Sequence, residues 1–215
     1  MIVAAVGMTR EARLVARRGV GVKAVAGGGR ADLLEARLKA ALQGAEAVLS
    51  IGLGGALDPA LEVGDVVLAS EVLRPRRRWE TDPAWLQRLI QRLPKAKVGG
   101  VYGSNDMVLG ALDKAKLRGQ GKALLVDMES HVAAKVAAGA GLPFAVIRVV
   151  SDKAGVSLPP AVREGIREDG GMNLPGVLGA LVRDPRQLPA LLRTGRDADL
   201  AFKVLAQAAT AALRP

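Results

Sequence analysis

The chain has 215 residues, half of them hydrophobic, which suits one domain over 1–215 with a sizeable core. It contains no cysteine, which excludes disulfides, thiolate metal sites and a thiol nucleophile. The formal charge of +10 is compatible with nucleic acid, an anionic surface or a phosphate-bearing substrate. With two Trp, one Tyr and two Phe, however, the stacking platforms of a single-strand binder are nearly absent, and no nucleic-acid partner is expected.

The opening "MIVAAVG" reads as a buried strand rather than a signal peptide, because glycine and charge follow it at once. No apolar run reaches the ~20 residues of a membrane span, so a cytoplasmic protein is expected. "TREARLVARRG" predicts a helix with Thr9 as cap and Gly19 as stop. "GVKAVAGGG" is strand-like, and "RADLLEARLKAALQG" has helical period. "AEAVLSIGLGG" predicts a strand running into a glycine turn, and "VGDVVLASEVL" a longer strand. In "TDPAWLQRLIQRLP", Asp82 caps a helix that has Pro83 at its first position. "AKVGGVYGS" and "KALLVDME" are strands, "SHVAAKVAAGAG" is a helix closed by glycines, and "LPFAVIRVVSD" is the most apolar strand. From Pro159 the tail is helical, broken at Pro175, Pro185 and Pro189. Alternating apolar strands and helices predict a three-layer α/β/α domain around a central twisted mixed sheet, with a helical C-terminal part over about 159–215.

In such folds functional groups gather outside the carboxyl ends of the strands. "GGGR" at 27–30 leaves a strand and opens a helix, so Gly28, Gly29 and Arg30 form a candidate phosphate cradle. "GLGG" at 52–55 lacks the third glycine of a dinucleotide fingerprint; it is either a tight turn or, through Gly52 and Gly54, an approach for an anion or sugar. In "IRVVSDKAG", period 2 puts Arg148 and Asp152 on one side, as a structural ion pair or as a carboxyl oriented to handle a proton. The single His131 has no metal-ligand partner, so neither a metal site nor a Ser-His-Asp triad is expected.

Taken in order, "GMTREA", "IGLGGALDPALEVGDVVLA", "VDMES" and "PFAVIRVVSDKAG" resemble the strand-end motifs of the purine nucleoside phosphorylase and methylthioadenosine nucleosidase superfamily. The resemblance implies cleavage of the N-glycosidic bond of a 5′-substituted adenosine. Glu11 and Asp152 are then catalytic, Asp152 acting at purine N7. Met128 and ionised Glu129 bind ribose, and Met107, Ser151 and Asp152 surround the base. Ser151 and Arg148 hold the Asp152 carboxyl, while Asp127 orients neighbouring backbone. "VDMESHVAA", the "LPP" after the Ser-Asp strand and "DPRQLPALLRTGRDA" further resemble the hopanoid-associated phosphorylases. That resemblance implies adenosylhopane as substrate, adenine as leaving group and a lipid-linked small-molecule partner, while the wider superfamily resemblance implies a homo-oligomer. At 174–196 short apolar stretches with Arg183, Arg186, Arg193 and Arg196 either lie on the inner-membrane surface or pack on the domain with the arginines in solvent. Two alternatives stand beside the adenosylhopane reading: a methylthioadenosine/adenosylhomocysteine nucleosidase, and a non-catalytic nucleoside- or lipid-binding protein. No cofactor is expected; phosphate is the alternative to water as co-substrate.

Overall fold

The computed structural model describes residues 1–214. Strand β1 (Ile2–Val6) sits between β2 (Val22–Ala26) and β3 (Ala47–Ala56), parallel to both. Its side chains alternate between two cores. Val3 and Ala5 join a cluster covered by helices α2 (Ala31–Ala41) and α5 (Ser130–Ala140). Ala4 and Val6 join the opposite cluster, covered by α1 (Thr9–Ala16), α3 (Pro83–Arg92) and α7 (Leu188–Ala212). A strand buried on both faces must be apolar throughout, which is why these strands read as unbroken hydrophobic runs. This is the expected three-layer α/β/α arrangement around a mixed sheet.

The sheet has eight strands, completed by β4 (Val66–Arg74), β5 (Arg77–Glu80), β6 (Lys97–Gly103), β7 (Leu125–Asp127) and β8 (Phe144–Asp152). β8 pairs with β3 in parallel and with β4 antiparallel. β6 pairs with β4 and β7, and β7 returns to the far end of β3. The strands β3, β8, β4, β6 and β7 thus form a closed ring, from which β2 and β1 extend on one side and β5 on the other.

The expected glycine turn at 52–55 is corrected by this closure. β3 continues through all four residues, because its second half bonds to β7 after its first half has bonded to β1. Two further elements carried no strong local signal. Arg74 and Arg76–Arg78 build the β4–β5 hairpin, with Arg76 in the left-handed region at φ 61° and Arg78 paired to Glu71 at 2.8 Å. Helix α4 (Ala111–Gly121) buries Lys114, and its Leu117 packs against the small cluster around Leu57 and Leu73.

Helix starts follow local chemistry. Asp82 accepts from the Trp85 N–H at 2.7 Å, as expected of a cap before Pro83. The α1 cap is Met8 rather than Thr9; Thr9 instead donates its hydroxyl to the Asp169 carbonyl at 2.9 Å. In the tail, Pro175 and Pro189 lie in the first turns of α6 (Leu174–Arg183) and α7, and Pro185 opens a 3-10 turn between them. Each proline begins an element, where its missing N–H costs nothing. Among the described residues no helix is long and apolar enough to cross a membrane.

Candidate active site

The ends of β1, β3, β7 and β8 bring the acids together. Glu11, in the first turn of α1, is 2 % exposed. Its Oε2 accepts from the N–H groups of Gly7 and Met8, both at 2.8 Å, and its Oε1 from Leu53 N–H at 2.9 Å. Burial raises its pKa, against the lowering pull of Arg148 and of these three N–H donors. Glu129, at the start of α5, is also buried. A Cβ placed on Gly7 would lie 2.9 Å from Glu129 Oε1 and 3.2 Å from Glu11 Oε2, so the two carboxyls meet over a residue that must be glycine.

Arg148, without exposed surface, lies in the midst of these acids. Its guanidinium pairs with Asp127 and, at 3.4 Å, with Glu129; it also donates to Ser50 Oγ at 2.6 Å. Burial opposes its charge, but Asp127, Glu129 and Glu11 outweigh that and hold its pKa above the ordinary value. Asp127 also accepts from the Ser130 hydroxyl and, at 3.2 Å, from the Ser130 N–H, so it orients the start of α5 as expected.

Three carboxyls sharing one cation cannot all stay ionised. Glu129 is pushed up to about 8, first by burial and then by Asp127 and Glu11, with Arg148 opposing. Burial thus favours the protonated form of Glu129, which presents both a donor and an acceptor, over the ionised form, which presents acceptors alone.

The expectation that Arg148 holds Asp152 is corrected. The β3–β8 register slips between Gly54 and Gly55, so that Gly54 faces Val150 but Gly55 faces Asp152. The even spacing that would join Arg148 to Asp152 is interrupted, and each finds its own partner. Ser151 does hold the carboxyl, donating to Oδ1 at 2.7 Å. The cation is Lys114 from α4, whose side chain has no exposed surface and whose Nζ donates to Asp152 Oδ2. Nothing local in "LDKAKL" marks this lysine as buried; only the docking of α4 against the end of β8 selects it.

The glycines of β3 make room for charge. A Cβ on Gly52 would come within 2.6 Å of Arg148 Nη1 and 2.7 Å of Glu11 Oε1, and one on Gly55 within 2.9 Å of Asp152 Oδ2. Gly54 approaches Leu125 instead.

At the end of β2, Gly28 and Gly29 adopt left-handed φ of 62° and 74°. Gly27 and Gly28 donate their N–H groups to Val6 and Gly7, and the Arg30 N–H goes to Gly27. The Arg30 guanidinium binds Asp32 at 2.8 Å and Glu168 at 2.6 Å. A Cβ on Gly29 would be 3.8 Å from Met128 Cε, which places this loop beside Met128. Met107 is half-buried in the loop between β6 and α4. His131, in the first turn of α5, contacts Asn105 Oδ1 through Nε2 at 2.9 Å, and burial lowers it to about 4. Among the described residues no cluster of acids and histidine has the makings of a metal site.

The S. epidermidis 5′-methylthioadenosine/S-adenosylhomocysteine nucleosidase is 28 % identical over 131 residues, which are 51 % of this chain and 58 % of that protein. The chain thus matches little more than half the length of that relative. Among solved structures, the S-adenosylhomocysteine nucleosidase of Streptococcus pyogenes superposes with a TM-score of 0.65 at 19 % identity, over 97 % of this chain and 95 % of that one. Futalosine hydrolase of Helicobacter pylori superposes with a TM-score of 0.64 at 17 % identity, over 85 % and 97 %. The family model of the phosphorylase superfamily matches residues 4–170, and this chain belongs to that family.

Proposed function

We propose that this protein hydrolyses the N-glycosidic bond of a 5′-substituted adenosine and releases adenine. The observation that carries this reading is the division of the site. Glu11 and Glu129 converge around Arg148 over Gly7 and Gly52, and Asp152 stands apart from them beside Gly55. The first part holds three carboxyls, those of Glu11, Asp127 and Glu129, around the one cation Arg148. That net negative charge suits an oxocarbenium-like ribose. Glu129 holds a ribose hydroxyl, Glu11 takes the proton of the attacking water, and Asp152 works at N7.

Water is favoured over phosphate because the 27–30 loop has most of its donors engaged. Its N–H groups at Gly27, Gly28 and Arg30 bond to backbone, and the Arg30 guanidinium is shared by two carboxylates. The relatives, named for methylthioadenosine, adenosylhomocysteine and futalosine, support a nucleoside of that kind over adenosylhopane.

A lipid-linked substrate and a peripheral membrane contact stay as a second reading, on one observation. Leu174, Leu178 and Val182 recur at four-residue spacing on α6 and are 58 %, 61 % and 82 % exposed, beside Arg183 and Arg186. An apolar row flanked by arginines fits an anionic bilayer surface.

The deciding assay supplies methylthioadenosine, adenosylhomocysteine and an adenosine with a long alkyl 5′ group, with and without phosphate, and measures free adenine. Adenine release independent of phosphate is expected, with Glu11→Gln slower by ~10²-fold or more. Absence of adenine from every substrate overturns the reading; release that requires phosphate turns it into a phosphorylase. Size-exclusion chromatography of the same preparation reports whether it assembles.

A further inference from the structure

Lys114 sits where none of the motifs placed a cation, and it is unusually well matched as an ammonium. Its three N–H bonds have three acceptors: Asp152 Oδ2, the Lys153 carbonyl at 2.9 Å and the Val156 carbonyl at 3.0 Å. Two of these acceptors are neutral carbonyls that do not take up a proton. The third is the carboxyl that the reaction places at the departing base, and that side chain is 10 % exposed at the site while the Lys114 side chain is fully covered. Ser151 fixes the other Asp152 oxygen at 2.7 Å, so Oδ2 keeps facing the lysine. Two side-chain donors thus reach Asp152, the Ser151 hydroxyl and the Lys114 ammonium, and of these the ammonium is by far the more acidic.

We propose that Lys114 is a positioning residue that supplies, through Asp152, the proton taken up by the leaving purine. The proposal rests on the nucleosidase reading above. As the glycosidic C–N bond breaks, its electron pair flows into the purine and N7 becomes basic. N7 takes a proton from Asp152 while one Nζ proton of Lys114 passes to Asp152 Oδ2. The purine leaves neutral, and the pair ends as a carboxylate and a neutral amine. That amine has two N–H bonds left, one for the Asp152 carboxylate and one for a backbone carbonyl. Solvent returns the proton when adenine departs.

Charge and proton can be separated by experiment. Arginine preserves the charge but does not give up its proton in a protein. Lys114→Arg and Lys114→Met are compared with wild type on methylthioadenosine and on 4-nitrophenyl riboside, whose phenolate leaves without protonation. The ratio of the two kcat values cancels any difference in folded fraction. The expected result is a ratio lower by ~10²-fold in both variants, with KM for methylthioadenosine changed only a few-fold. Because the chain has no cysteine, Lys114→Cys can be alkylated selectively in denaturant and refolded. Aminoethylation should restore the ratio, and a trimethylammonium-ethyl group, which carries charge but no proton, should not. An unchanged ratio in Lys114→Arg, or rescue by the trimethylammonium group, overturns the relay and leaves Lys114 as a charge alone. A wild-type protein that cleaves the nitrophenyl riboside but no adenosine, or neither substrate, fails the nucleosidase reading instead.

Discussion

Glu129→Gln should make the folded protein less active and, above neutral pH, more stable. The native state holds a proton on Glu129 up to about pH 8, whereas an unfolded glutamate loses it near 4.5. Between those values the native state binds more protons, so wild-type stability falls as pH rises. His131 acts in the opposite sense. Its native pKa is lowered to about 4 from 6.5, so its contribution is lost as pH falls through that range and offsets Glu129 there. The Glu129 term is therefore visible from pH 6.5 to 8. Over 1.5 pH units at about 1.4 kcal/mol each, stability should drop by roughly 1–2 kcal/mol. Glu11, also raised by burial, works in the same direction above its ordinary value of 4.5. Glutamine fills the same space without a charge to desolvate, so the variant should lose most of this slope and exceed wild type at pH 8. Adenine release should nonetheless fall by tenfold or more, since a polar partner of the ribose is altered. Urea unfolding followed by circular dichroism at pH 6.5, 7.2 and 8.0 measures the slope. Identical slopes in wild type and variant would refute the sharing of one arginine by three carboxyls.

Two further substitutions probe the frame of the site. Gly52→Ala places a methyl 2.6 Å from Arg148 Nη1 and 2.7 Å from Glu11 Oε1, both buried; a loss of ~1–3 kcal/mol in urea unfolding, together with most activity, is expected. Asp82→Ala removes the cap on the Trp85 N–H and should cost about 1 kcal/mol in the same assay, while adenine release by the folded fraction stays at wild-type level.

The order of elements could be read from the sequence because it depends on local chemistry. Apolar runs such as "IVAAV" and "FAVIRVV" are fully buried strands, and Asp82-Pro83 starts a helix wherever it stands. The acids at the strand ends were legible for the same reason, since the topology of a wound sheet gathers them without any knowledge of contacts. What those acids touch was decided only by the tertiary structure. "GLGG" looks like a turn, but closure of the sheet from β3 through β7 draws it straight and fills the space above its glycines with Arg148, Glu11 and Asp152. A single slip of register at Gly54/Gly55 parts Arg148 from Asp152, and the docking of α4 delivers Lys114 in its place. Residues 38 apart in the chain pair there because burial leaves each ion the other as its partner of opposite charge. Pairing of that kind is a property of packed space, and no window of sequence contains it.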